Sequence, residues 1–184
     1  KVFVSCYFDT PNSNLEFEKL IGNKSTNFSR YSFFYIDQLI KKGFLDKAKN
    51  ELDKSLEKSP RNVLLNKIKN DLNYNYKDYS SGFNCKNINN IISELFYITA
   101  NALSTQSIFS ISNYYLNLAK YLNQDFKSYN TLLAENFYNM GELERSLEIY
   151  KTIDQQGEFF AWHSVKQRTR ILIKRNKKEK ALKL

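Results

Sequence analysis

Shifting this chain by 34 residues lays one stretch of it onto another. Ala100 falls on Ala134, Leu103 on Phe137, Ser112 on Ser146 and Leu116 on Tyr150, small on small and bulky on bulky. A self-match at a fixed spacing of roughly 20 to 50 residues marks a chain built by repeating one supersecondary unit. Such a unit cannot bury its apolar face alone, so neighbours must stack and shield one another. The constraint is on architecture: the chain is expected to build an elongated surface from recurring positions.

The unit itself is legible in the spacing of apolar residues. Tyr31, Phe34, Tyr35, Ile36, Leu39 and Ile40 recur at helical intervals and stop at Gly43. Leu45, Ala48, Leu52 and Leu56 then line a second helix that Pro60 closes. Gly43 supplies the turn, where a residue without Cβ takes positive φ at little cost. A small residue follows five positions later, Ala48, where two helices of a hairpin come closest. The same glycine-to-small interval recurs from Gly141 to Ser146, and from Asn176 to Ala181. Between these, helices are expected at 90–104 and 108–122 with a turn at Gln106 and Ser107, then a helix through Leu132, Leu133 and Phe137 and a partner through Leu143, Leu147, Tyr150 and Ile153. Gly157 breaks that partner, and a last hairpin begins near Trp162. With only 5 Gly and 2 Pro in 184 residues, almost nothing interrupts helix.

These positions resemble the tetratricopeptide repeat family: Ala100 and Ala134 for close packing, Leu103 and Phe137, Gly43 and Gly141 at the turn, Ala48, Ser112, Ser146 and Ala181 as the small contact, then Leu52, Leu116, Tyr150 and Pro60. The resemblance covers about 29–60 and 93–184 well and 61–92 poorly, and Ser112 and Ser146 stand where the family has alanine. It implies an all-α fold, a right-handed superhelix of antiparallel helix–turn–helix repeats in one α-solenoid domain over 1–184. The expected divisions are a flank over 1–28 that ends a preceding repeat, a repeat over 29–60, a diverged repeat over 61–92 with a long loop at 73–87, repeats over 93–126 and 127–161, and a truncated one over 162–184. The order of segments looks like large multi-repeat bacterial proteins of this family, some of them exported. The chain opens Lys1-Val2-Phe3 without Met and is read as a segment of something longer, so its compartment stays open between cytoplasm and export.

Chemistry is sparse. The one histidine, His163, lies on a helix with no cysteine or acidic pair beside it and is read as a surface or packing residue. Five scattered glycines build no phosphate loop. Cys6 and Cys85 form no metal-binding spacing; a single bridge between them is open but nothing argues for it, and two buried thiols are expected. No apolar run reaches the length of a membrane span. Neither catalysis, a cofactor nor a metal is expected.

Binding is the expectation that remains. In stacked hairpins the first helix of each unit lines the concave groove, which places Phe33 and Asp37, Tyr97 and Asn101, Glu135 and Tyr138, and Lys166 and Arg170 there. Rings would pack, Asn101 would pair with a partner's backbone, and the cations would meet carboxylates of a peptide or protein partner. The net charge of +9 opens an alternative, a basic module that associates with RNA or an anionic surface through the C-terminal cations Arg168 to Lys183. Lysines are otherwise scattered, and rings for base stacking are missing beyond Trp162. The ring-rich stretch Tyr74, Tyr76, Tyr79 and Phe83 is expected to fold back and plug the stack at the diverged repeat.

Overall fold

A computed structural model of the chain describes residues 1–22, 29–74 and 79–184, with the side chain of Gln156 excepted. Among them are eleven α-helices and no strand. They group into two compact units, 1–88 and 89–184.

The first unit holds α1 (Val2–Tyr7), α2 (Ser13–Ile21), α3 (Ser29–Lys41), α4 (Leu45–Lys58) and α5 (Val63–Tyr74). α3 sits at its centre, packed by α2, α4 and α5. Every residue from Ser32 to Ile40 is buried, so this helix has no solvent face along that stretch. Aromatic rings do most of the filling. Phe17 stacks on Tyr35 with centroids 5.6 Å apart, Phe3 meets Phe34 edge-on at 5.1 Å, and Phe34 lies 4.4 Å from Phe83. Offset and edge-to-face pairs of this kind add to the burial of the rings. Tyr35 donates to Glu18 Oε1 at 2.6 Å, and Lys47 Nζ donates to the same oxygen at 2.8 Å. Burial and then the Glu18 hydrogen bond push the Tyr35 phenol up to about 12.

Cys6 and Cys85 are joined in a disulfide, which corrects the expectation of two free thiols. Tertiary packing brings them together across 79 residues, with their Cα atoms 5.9 Å apart. α1 lies against the segment before the second unit: Phe3 and Phe83 rings are 5.6 Å apart, and Lys86 Nζ donates to the Tyr7 carbonyl at 3.0 Å. Of the ring-rich stretch, Phe83 is buried between Phe3 and Phe34, Tyr79 donates to Asp37, and Tyr74 is exposed. Tyr76 lies outside the described residues.

The second unit contains α6 (Ile88–Thr105), α7 (Phe109–Leu122), α8 (Tyr129–Asn139), α9 (Leu143–Ile153), α10 (Glu158–Lys174) and α11 (Lys178–Leu182), with a 3-10 turn at Asp154–Gln156. α10 starts four residues before Trp162, since Gly157 at φ 106° ends the preceding turn and opens the helix.

One turn design recurs. Gly43, Ser107, Gly141 and Asn176 all have left-handed backbone, φ 81°, 62°, 81° and 58°. At each, the amide donates to the carbonyl three residues back, and the next amide to the carbonyl five before it, as in Gly141 to Tyr138 and Glu142 to Phe137. This is the Schellman ending of a helix, which satisfies carbonyls that the helix leaves unpaired. Asp9, at φ 52°, makes the same pair of bonds between α1 and α2. Five residues after each of the four turns stands a buried small residue: Ala48, Ser112, Ser146 and Ala181. Ser112 Oγ donates to the Ala100 carbonyl at 2.7 Å and Ser146 Oγ to the Ala134 carbonyl at 2.8 Å. Each hydroxyl therefore ties the second helix of a hairpin to the first, a bond that an alanine could not make.

The turn positions differ in strain. A left-handed residue with a Cβ costs about 1 kcal/mol more than glycine. Ser107→Gly is expected to raise the unfolding free energy of the second unit by about 0.5–1 kcal/mol, and Gly141→Ser to lower it by a similar amount. A Cβ at Gly141 meets no atom within 4 Å, so the effect is one of backbone alone. Urea denaturation of the two variants measures it.

Candidate functional site

The eight residues expected to line a groove fall in different surroundings. Phe33 and Asp37 are buried, at 1% and 3% exposure, inside the first unit. Neither presents a side chain to a partner there, because α3 is enclosed on all sides. Asp37 instead anchors local structure: its Oδ1 accepts from Tyr79 at 2.9 Å and its Oδ2 from Lys41 Nζ at 2.8 Å. Lys41 also donates to Ser81 Oγ at 2.9 Å and to the Phe83 carbonyl. Burial raises the Asp37 pKa above the ordinary aspartate value, outweighing the pull of Lys41.

The other six lie in the second unit, on the first helices of its hairpins. Tyr97 on α6 is half-buried, its ring 5.6 Å from that of Tyr129, and Asn101 one turn later is exposed. Glu135 and Tyr138 stand one turn apart on α8. Arg170 of α10 reaches both: its Nη1 lies 3.3 Å from Glu135 Oε1, and its guanidinium carbon 3.9 Å from the centre of the Tyr138 ring. An arginine over an aromatic face is held by the ring quadrupole while its outer N–H groups stay available. Lys174 Nζ lies 4.4 Å from the same ring. Tyr150 of α9 donates to Glu135 Oε2 at 3.1 Å, with burial and then Glu135 raising its phenol pKa.

Helical geometry makes this a strip. Trp162, Lys166, Arg170 and Lys174 follow at intervals of four along α10 and so share one face. Trp162 is 60% exposed, and Lys166 Nζ lies 5.4 Å from its ring centre. The face thus joins two rings, three cations and one carboxylate across α8 and α10. Trp162 and Lys174 belong to it although groove placement by hairpin order had not named them. The four-residue spacing of Trp162 with Lys166 and Arg170 was the available signal.

His163, beside this face, has its Nε2 buried without a hydrogen-bond partner, and its ring lies 6.1 Å from that of Tyr150. Burial, then the Lys166 charge, lowers its pKa below the ordinary histidine value, while Glu135 opposes the shift. The unfolded chain therefore binds the proton more readily than the folded one. Stability is fully present above the unfolded value, about 6.5, and is lost as pH falls from there through the lowered folded value. The melting temperature of the second unit is expected to drop between neutral pH and pH ~5, and His163→Gln to flatten that part of the profile.

Among the described residues no group of three His, Cys, Asp or Glu is placed to hold a metal, and no helix is long and apolar enough to cross a membrane. No family model matches the chain, and no curated protein matches it.

Proposed function

We propose that the chain is a non-catalytic interaction scaffold of the tetratricopeptide type, binding an acidic, extended peptide segment of a partner along the first helices of its hairpins. The observation that carries this is the α8–α10 face, where Arg170 lies 3.9 Å over Tyr138 with Lys174, Lys166 and the exposed Trp162 beside it. Stacked cations are held in place before a partner arrives, so less side-chain entropy is lost on pairing them with its carboxylates. Exposed Trp and half-buried Tyr supply anchors for apolar side chains, the residue types that dominate binding hot spots. Asn101 and Tyr97 on α6 would extend the same strip by one hairpin. The four recurring turns and the serine ties between helices support the repeat reading, and stacking in a right-handed superhelix is part of the proposal. Disulfides persist in oxidising compartments, so the Cys6–Cys85 bridge favours an exported protein.

Selection of displayed peptides on the whole chain tests this. Enriched sequences are expected to carry Asp or Glu near an aromatic or aliphatic residue, and to lose about tenfold or more in affinity on Arg170→Ala or Tyr138→Ala. Enriched peptides indifferent to both variants and to Asn101→Ala would overturn the reading.

The alternative, a basic surface for RNA, is weakened by pairing within the tail. Arg168 is bound to Asp154 at 2.5 Å, and Arg175 to Glu144. Polyanion binding through the remaining lysines would fall steeply with salt, and neutralising Lys174 and Lys178 would flatten that slope.

A further inference from the structure

A second recess lies away from the α8–α10 face, walled by the end of α7, the connection 123–128, the first turn of α8 and the end of α9. Its volume is about 620 Å³, within the range of small-molecule sites. The lining mixes polar and apolar surface, and its charged residues carry only one sign. Lys120 and Lys127 both line it, and no Asp or Glu does among the described residues. Burial and the neighbouring Lys127 ammonium together hold Lys120 below the ordinary lysine value. Two neighbouring cations with no carboxylate among the described lining residues favour an anion between them.

The remaining walls restrict what that anion is attached to. Asn117 and Asn130 line the recess with side-chain amides. The amides of Gln124 and Gln155 add further donors and acceptors, and Tyr121, 77% exposed, offers a ring face at the rim. Amides around an aromatic ring suit hydroxyl-bearing carbon skeletons, which present donors at their edges and C–H groups at their faces.

We propose that this recess binds a small polyhydroxylated anion, a sugar carrying a phosphate or a carboxylate. The acid group sits between Lys120 and Lys127, hydroxyls pair with the amides of Gln124 and Gln155, and the ring lies against Tyr121. The site stands on residues separate from the α8–α10 strip, so either reading can fail without the other.

Calorimetric titration of the whole chain at low ionic strength, with glucose 6-phosphate, glucuronate, glucose and inorganic phosphate as probes, tests the assignment. At least one of the two sugar acids is expected to bind about tenfold or more tightly than glucose and than inorganic phosphate, and the tighter of the two identifies the acid group. Lys120→Gln and Lys127→Gln are each expected to weaken that binding about tenfold. Lys127 is exposed, so its variant tests the site without disturbing the fold. The proposal is overturned if neither sugar acid binds at millimolar concentration, if inorganic phosphate or glucose binds as well as the tighter of the two sugar acids, or if Lys127→Gln leaves affinity unchanged.

Discussion

Reduction of the Cys6–Cys85 bridge is expected to lower the unfolding free energy of the first unit by about 4.5 kcal/mol, the chain-entropy value for a closed loop of 79 residues. That is a large share of the stability of a small unit, typically about 5–15 kcal/mol for a whole domain. The bridge lies wholly within residues 1–88, so the second unit should keep its transition. The chain provides a built-in discriminator, because its single tryptophan, Trp162, is on α10. Denaturation followed by far-UV circular dichroism should show one phase moving to lower denaturant with reductant, while Trp162 fluorescence does not move. The Cys6→Ala, Cys85→Ala double variant should reproduce the reduced protein. A tryptophan transition that shifts equally would mean that the bridge supports both units.

Asn136→Ala should destabilise the second unit by about 3 kcal/mol, more than loss of a typical surface side chain. Asn136 is completely buried on α8 and links three helices. Its Oδ1 accepts from Ser104 Oγ of α6 at 2.6 Å, and its Nδ2 donates to Ser112 Oγ and Asn113 Oδ1 of α7, both at 2.8 Å. Removing the amide leaves those partners unpaired around a cavity. Cost is concentrated in unpaired groups, so removing a second member should recover some of it. Asn136→Leu combined with Ser104→Ala is expected to lose less than the sum of the two single changes. Strict additivity in urea denaturation would show that the three helices are not coupled through this amide.

Helix positions were legible because two signals agreed: apolar spacing, and a left-handed turn residue followed by a small one after five positions. Ser107, read only as part of a turn, proves to be the fourth member of that set. The side of α3 was not legible. Apolar spacing marks one face of it, but tertiary packing buries the whole run Ser32 to Ile40, polar Asp37 and Gln38 included, so Phe33 and Asp37 were assigned to a surface that the helix does not have. The strip on α8 and α10 was recoverable in part, since Glu135, Tyr138 and Arg170 do converge. The disulfide was not recoverable, because no local pattern brings together two cysteines 79 residues apart. The Asn136 network was equally hidden, since an asparagine inside a helix gives no sequence sign of partners on two other helices.

The position of the bridge also decides how the first unit responds to tension. Cys6 lies in α1 and Cys85 just before α6, so a pull along the chain passes from one sulfur to the other. The loops and helices in between form a bypassed ring that bears none of the load. In an oxidised chain, stretching would act on the residues before Cys6, Phe3 among them, and on the hairpins beyond Cys85, while Phe17, Phe34 and Tyr35 inside the ring would carry no tension.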